Sequence, residues 1–142
     1  MKKEKVLFLC TGNSARSQMA EAFLRHYGGQ RFEAYSAGLK PQGINPHTRQ
    51  VMQEAGIDLD GQYSKHIKEY MGKLHFRFLI TVCSNAEDRC PSVFPGSGIR
   101  LHWNFPDPAA AKGTREEELV KFRQVRDQIR VKIQEWLKET GE

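Results

Sequence analysis

The sequence lacks the long hydrophobic segments that membrane and exported proteins carry. No stretch approaches the roughly 18 consecutive apolar residues that a membrane-spanning helix requires. The apolar run near the N-terminus, Val6 to Leu9, is shorter than the hydrophobic core of a signal peptide. We therefore expect a protein that neither crosses a membrane nor is exported, and that works in the reducing cytoplasm.

Cysteine is scarce, and its number and spacing exclude two classes of protein. The chain has three cysteines, Cys10, Cys83 and Cys90, and an odd number in a small intracellular chain argues against a disulfide framework. No C-x-x-C pair is present, and the spacing of Cys83, Cys90 and His102 matches no standard zinc site. We therefore expect neither a disulfide-stapled scaffold nor a metal site.

Concentrated charge of one sign is also missing. The net charge is +5 and the pI about 9.2, but no five like charges stand in a row. A solvated surface with a modest basic bias is the simpler interpretation. No nucleic-acid-binding motif and no aromatic–basic stripe is present, so we expect no nucleic-acid partner. A small anionic substrate remains compatible with the basic balance.

The length and the composition of the sequence are typical of one globular domain. The 142 residues are 39% hydrophobic and 27% charged, which suits a soluble chain that buries its own core. No repeat, low-complexity segment or linker divides the sequence. Residues 1–142 are therefore expected to form a single domain.

Two kinds of hydrophobic pattern alternate along the chain. Short apolar runs predict strands at 5–9, 32–36, 76–82 and 99–103. Helical spacing, caps and glycine stops predict helices at 16–27, 46–55, 65–71 and from Thr114 to Gly141. This order predicts an α/β fold, with a four-stranded parallel sheet and helices on both faces.

The end of the first predicted strand leads into the sequence CTGNSAR, where Gly12 and Asn13 tolerate left-handed backbone angles. Such a loop can turn successive N–H groups inward as an anion nest. The next helix N-terminus and the planar guanidinium of Arg16 add positive charge, which favours the thiolate of Cys10. The loop predicts an activated nucleophile together with its anion cradle. The predicted oxyanion-binding residues are Thr11, Gly12, Asn13, Ser14, Ala15, Arg16 and Ser17.

Two more chemically competent residues follow predicted strands, at the edge where ligands of parallel sheets bind. Asp107 comes after the fourth strand and is a candidate general acid. Because Asp-Pro pairs are common in turns, a purely structural role in the turn with Pro108 is an equal alternative from the residues alone. Cys83 ends the third strand.

The C-x5-R-S pattern at Cys10 resembles the phosphate-binding loop of the low-molecular-weight protein tyrosine phosphatase family. The longer run LFLCTGNSARSQMAEA, the YSAG after the second strand, and DPAAAKGT resemble the thioredoxin-coupled arsenate reductases of the same fold. The likeness extends over essentially the whole chain. It implies a flavodoxin-like three-layer domain, no cofactor, a small oxyanion substrate and a monomer.

The resemblance also implies a set of residue roles. Cys10 would attack arsenate, Arg16 would bind the oxyanion, and Asp107 would be the acid and base. Cys83 would then attack the Cys10 sulfur and Cys90 would attack Cys83, with thioredoxin or another thiol reductant closing the cycle. The alternative is a phosphatase that hydrolyses phosphomonoesters through a Cys10 phosphocysteine.

The sequence departs from relatives in two places. Phosphotyrosine phosphatases of this fold often carry aromatic residues beside the acid, whereas alanines occupy 109–111 here. Some reductases bind potassium through residues that match Asn13, Glu21 and Ser36 and an aspartate whose position is Lys65 here. Weak or no dependence on potassium is expected, although a plain surface lysine is an equal alternative.

The segment between Cys83 and Cys90 has its own prediction. Ser84 and Glu87 fit a capping box, and a helix at 84–90 would separate the two cysteines by about 10 Å. A disulfide needs Cα atoms within about 7 Å. Residues 84–95 are therefore expected to be mobile and to rearrange on oxidation.

Overall fold

Four parallel strands form the sheet of the computed structural model, which describes residues 2–83 and 97–141. The spatial order of the strands is β2-β1-β3-β4, and every neighbouring pair is parallel. The predicted α/β class and the four-stranded parallel sheet are confirmed. The strands are β1 (Glu4–Cys10), β2 (Phe32–Gly38), β3 (Phe76–Thr81) and β4 (Ser97–His102).

The strand order creates a switch point between β1 and β3. The chain leaves β1 for β2 on one side of the sheet and returns to β3 on the other side. In open α/β sheets, a crevice forms beyond the carboxyl ends of two strands whose connections diverge in this way. Cys10 is the last residue of β1, so the topology puts it at this crevice.

The three α-helices begin and end within one or two residues of their predicted bounds. Pro46 and the Asn45 cap start the second helix, and the predicted capping box of Thr114 and Glu117 starts the third. The helices are α1 (Arg16–Gly28), α2 (Pro46–Glu54) and α3 (Arg115–Thr140).

The predicted helix at 65–71 is wrong in extent, because only a short 3-10 helix, Ile67–Glu69, forms there. The carbonyl of Lys65 accepts a hydrogen bond from Gly38 N, and His66 forms an isolated bridge with Gly38. Residues 65 and 66 are therefore extended alongside the end of β2. This tertiary pairing overrides the local helical pattern.

Strand β4 begins two residues before its predicted start, inside a stretch predicted as a loop. Gly98 marks a close approach of two backbones, because an added Cβ would lie 3.0 Å from the carbonyl oxygen of Arg77. The Ser-Gly pair thus belongs to the sheet rather than to a turn. The predicted helix at 84–90, its capping box and Cys90 lie outside the described residues.

The sheet has a core on each face. Alternate residues of β1 point to opposite sides, so Val6 and Phe8 join one cluster and Leu7 and Leu9 the other. The first cluster includes the apolar side of α1 and α3, and the second is covered by the segment 67–74. The buried stripe of α3 is core packing, as predicted, and consists of Leu119, Phe122, Val125, Ile129, Ile133 and Trp136.

None of the helices in the described parts of the chain is long and apolar enough to cross a membrane.

Candidate active site

A small cavity opens at the carboxyl end of β1, and most of the predicted site residues line it. Its volume is about 100 Å³, well below the roughly 300–1,000 Å³ of pockets that enclose organic ligands. The predicted nucleophile, arginine and acid are therefore brought together around a space that suits a small ion. The lining residues are Cys10, Thr11, Gly12, Ser14, Ala15, Arg16, Gln42, Asp107 and Ala109.

The cradle loop, residues 11–15, is fixed by hydrogen bonds that its carbonyl oxygens accept from the surrounding segments. Thr11 O accepts hydrogen bonds from Leu39 N at 2.9 Å and Lys40 N at 2.8 Å. Gly12 O accepts one from Gln42 N at 3.0 Å. The segment after β2 thus grips the first half of the loop.

The second half of the cradle loop is held in the same way. Asn13 O accepts a hydrogen bond from Gln18 Nε2 at 3.1 Å. Ser14 O accepts two, from Asn45 N at 3.1 Å and Thr48 Oγ1 at 3.0 Å. In a trans peptide, the carbonyl and the next N–H point in opposite directions. Outward carbonyls therefore leave the following amides directed to the inner side of the loop, as an anion nest requires.

One of the two predicted left-handed residues adopts that conformation. Asn13 has φ +48°, which asparagine tolerates better than most residues. Gly12 does not have a positive φ. An added Cβ at Gly12 would lie 3.1 Å from Gln42 Oε1, so the end of the Gln42 side chain would have to move by a few tenths of an ångström.

Cys10 is a free thiol, 4% exposed, with its sulfur held by a hydroxyl. The Cys10 Sγ and Ser17 Oγ atoms are 2.8 Å apart. Asn13 Nδ2 donates to the same Ser17 oxygen at 2.8 Å, which leaves the hydroxyl proton of Ser17 available to the sulfur when Cys10 is ionised. A donor at this position stabilises a thiolate.

Arg16 connects the cradle loop to the candidate acid. Its guanidinium donates to Phe105 O at 3.1 Å and lies 3.9 Å from Asp107 Oδ2. Asp107 Oδ1 accepts a hydrogen bond from Ala109 N at 3.0 Å, which caps a short 3-10 helix, Pro108–Ala110. Asp107 therefore stabilises its turn and also lines the cavity, and its role as general acid stays a prediction.

A buried polar network lies behind the cradle loop. Asn13 Nδ2 donates to Ser36 Oγ at 3.0 Å, and Ser36 Oγ donates to Glu21 Oε1 at 2.6 Å. Glu21 is also paired with Arg25. Lys65 Nζ donates to Ser36 O at 3.1 Å, and its backbone N–H donates to Asn13 Oδ1 at 3.0 Å.

Lys65 is 6% exposed, so of the two alternatives for this residue, the plain surface lysine is wrong. Desolvation by burial lowers the pKa of its ammonium from the usual 10.5, while the carboxylates of Glu21 and Glu69 oppose that shift. The charge of Lys65 is thus built into the support of the cradle loop.

Cys83 lies beside the end of β1, the strand that ends at Cys10. The backbone N–H of Val82 donates to Leu9 O at 3.0 Å. Cys83 follows Val82 and Cys10 follows Leu9, so the two cysteines come directly after a hydrogen-bonded pair of residues. Cys83 is 1% exposed and disulfide-bonded. Cys90 lies outside the described residues, so its predicted role is not tested.

Residues 5–142 match the low molecular weight phosphotyrosine protein phosphatase family. The chain belongs to this family. The resemblance predicted from the cradle loop is confirmed, and the match spans nearly the whole sequence.

Individual relatives within the family carry a narrower description. A protein of Shouchella clausii named arsenate reductase is 46% identical over 143 residues, covering all of both chains. The arsenate reductase of Bacillus subtilis is 42% identical, over 99% of each chain.

Solved structures of arsenate reductases resemble this chain as well. One in a phosphate-binding state has a TM-score of 0.78 at 30% identity, over 96% of this chain and 98% of that one. A thioredoxin-dependent arsenate reductase of Corynebacterium glutamicum has a TM-score of 0.68 at 26% identity, over 96% of this chain and 61% of that one.

In this member of the phosphatase family, sequence reasoning missed three residues around the cradle loop: Gln18, Gln42 and Thr48. Gln18 belongs to α1, Gln42 to the segment after β2 and Thr48 to α2, and no local pattern there indicates contact with the loop. Among residues 2–83 and 97–141, no group of three or more His, Cys, Asp and Glu side chains could hold a metal ion. His102 instead contacts Thr81 Oγ1 at 2.6 Å.

Proposed function

We propose that this protein reduces arsenate to arsenite at Cys10, using thiols as the source of electrons. The observation that carries the proposal is the cavity of about 100 Å³ lined by Cys10, Arg16 and Asp107, in a chain similar over its full length to arsenate reductases. The cavity is sized for an inorganic oxyanion rather than an organic ligand.

The first step forms a covalent intermediate. The Cys10 thiolate attacks arsenic, an S–As bond forms and an As–O bond breaks. Asp107 gives its proton to the departing oxygen, which leaves as water. Arg16 and the cradle loop amides hold the remaining oxygens and neutralise their charge. Arsenic is still in its +5 state.

The second step transfers the electrons. A Cys83 thiolate attacks the Cys10 sulfur, an S–S bond forms and the S–As bond breaks. The electron pair of that bond stays on arsenic, which leaves as arsenite in the +3 state. The adjacency of Cys10 and Cys83, through the Val82 to Leu9 hydrogen bond, supports this order of attack.

The third step moves the disulfide outward. A Cys90 thiolate attacks Cys83, releases Cys10 and leaves a Cys83–Cys90 disulfide for a thiol reductant. We infer thioredoxin as that reductant, because the similar Corynebacterium glutamicum reductase is thioredoxin-dependent. We also infer a monomeric, single-domain cytoplasmic enzyme without cofactor, nucleic-acid or membrane partners.

The alternative function is hydrolysis of phosphomonoesters. Cys10 would form a phosphocysteine, and Asp107 would protonate the leaving alkoxide and later activate water. The family description favours this chemistry. The small cavity disfavours an organic substrate, so we expect phosphatase activity only as a residual reaction of the same loop.

The deciding experiment measures arsenate-dependent NADPH oxidation with thioredoxin and thioredoxin reductase. The parent should turn over, and Cys83→Ser and Cys90→Ser should each lose that turnover while keeping aryl phosphatase activity. Full arsenate reduction by either variant would refute the relay, and an inactive parent that hydrolyses aryl phosphates efficiently would favour the phosphatase.

A further inference from the structure

The rim of the oxyanion cavity includes a side chain that no step of the reaction uses. Asp107 and Ala109 contribute one part of the lining, and Gln42, from the segment after β2, contributes another. Ala109 offers only a methyl group. Gln42 is therefore the bulkiest uncharged side chain that lines the cavity.

Gln42 lies against the cradle loop although the residue as a whole is exposed. Its backbone N–H donates to Gly12 O at 3.0 Å. Its Oε1, Cδ and Cγ atoms lie 3.1, 3.2 and 3.5 Å from the position that a Cβ on Gly12 would occupy. The backbone bond anchors the residue beside the loop, and the side chain lies next to Gly12.

The chemistry makes this rim a point of selection. In an in-line attack by Cys10, the group that leaves is on the far side of the central atom, toward the cavity mouth. From arsenate this group is a single oxygen, which leaves as water. From a phosphomonoester it carries an organic residue, which needs space at the mouth beside the proton donor Asp107.

We propose that Gln42 is a specificity-determining residue that excludes the organic part of phosphomonoesters and restricts the site to inorganic oxyanions. The inference rests on the proposed function, because the same cradle and acid serve both reactions. Gln42 lines the cavity beside Asp107, where an aryl or alkyl leaving group would have to be accommodated.

The test compares Gln42→Ala with the parent on two probes. The kcat/KM for p-nitrophenyl phosphate should rise by at least about tenfold, as expected when an apolar group gains space in a site. The Ki of inorganic phosphate should stay within about twofold, the range of an exposed substitution. An unchanged or lower kcat/KM for the aryl phosphate overturns the inference.

Two further variants sharpen the result. Gln53→Ala removes an exposed glutamine of α2 that is absent from the cavity lining, and it should leave both constants unchanged. Gln42→Glu keeps the volume but adds a negative charge, so it should weaken phosphate binding without favouring the aryl substrate. A gain in Gln42→Glu as large as in Gln42→Ala contradicts a steric role.

Different measurements test the proposed role of Gln42 and the proposed function of the protein. Arsenate-dependent turnover of the parent with thioredoxin tests the function and does not involve Gln42. The ratio of aryl phosphate kcat/KM to phosphate affinity tests the role of Gln42, and it decides that role whichever way the arsenate assay turns out.

Discussion

At the residue scale, Ser17 is the side chain hydrogen-bonded to the Cys10 sulfur, 2.8 Å away. A hydrogen bond to a charged group contributes about 1.5–3 kcal/mol. Ser17→Ala should therefore slow alkylation of Cys10 by iodoacetamide at neutral pH by roughly 4–15-fold, because fewer sulfurs are ionised but each remaining thiolate is more nucleophilic. The reaction is measured in a Cys83→Ser, Cys90→Ser background. Thr140→Ala, at the far end of α3, is the control, and equal rates in Ser17→Ala and the parent would contradict the prediction.

Lys65 predicts a dependence of stability on pH. Burial holds the pKa of Lys65 in the folded protein below the 10.5 that it has in the unfolded chain. At pH values between the folded and the unfolded pKa, the unfolded chain therefore binds more protons than the folded protein does. The contribution of Lys65 to the free energy of unfolding should therefore increase as pH rises through that range. In Lys65→Met this gain is absent.

Urea unfolding at pH 7 and pH 9.5 tests the Lys65 prediction. The stability of the parent relative to Lys65→Met should increase at the higher pH. Tyr35, whose pKa burial raises to about 12, keeps its proton over this range. A difference that is constant or shrinks toward pH 9.5 would show that the Lys65 ammonium is not penalised by burial.

The same residue bears on potassium. The Lys65 ammonium already donates to Ser36 O and interacts with the buried Glu21 carboxylate. We expect potassium chloride to change the kcat/KM for arsenate by less than about twofold. This corresponds to about 0.5 kcal/mol, the size of effect that is usual when no specific contact is made or lost. Choline chloride at the same ionic strength is the control. A several-fold rise with potassium alone would contradict the prediction.

Residues whose role follows from local spacing could be predicted from the sequence, and others could not. Cys10, Arg16 and Ser17 stand at a fixed distance along one strand–loop–helix unit, so their meeting is local. Lys65 and Gln42 reach the cradle loop from distant segments. Only the packing of those segments against the loop brings them there, through the backbone N–H groups of Gln42 and Lys65, which donate to Gly12 O and Asn13 Oδ1.

At the element scale, the N-terminus of α2 acts as a clamp on the cradle loop. Thr48 is fully buried, and its hydroxyl donates to Ser14 O at 3.0 Å. Thr48→Val removes that bond at nearly constant volume and should raise the Ki of inorganic phosphate by about fivefold, because a neutral hydrogen bond contributes about 1 kcal/mol.

The conservative variant distinguishes positioning from simple stability. Thr48→Ser keeps the hydroxyl and should restore the phosphate Ki to within about twofold of the parent. If Thr48→Val loses stability but binds phosphate as tightly as the parent, Thr48 only supports packing and the proposed clamp is wrong.

Helices and strands whose hydrophobic residues repeat with a clear period could be predicted from the sequence. The stripe of α3 and the apolar run of β1 needed no tertiary information. The prediction at 65–71 was wrong because Gly38 N pairs with the Lys65 carbonyl. The start of β4 was misplaced because Gly98 reads as a turn residue when its contact with Arg77 is unknown.

At the scale of the whole molecule, the strand order brings the proposed nucleophile Cys10, the cradle loop and Cys83 to one edge of the sheet. Residues that follow β1, β3 and β4 converge there, although they are far apart in sequence. Arg16 and Asp107 both line the cavity, so a ligand bound there would contact groups from more than one of these segments. Occupation of the cradle should therefore stabilise the entire fold rather than one loop.

Inorganic phosphate provides the test of this coupling. A ligand that binds only the native state at 100 times its Kd adds about 2.7 kcal/mol to the free energy of unfolding, so thermal scans should show Tm rising by several degrees. Arg16→Lys keeps the charge but loses the planar fork of donors, so most of that rise should disappear. Arg123→Lys, on the surface of α3, is the matched control. An equal phosphate-dependent rise in Arg16→Lys would mean that phosphate binds elsewhere on the protein.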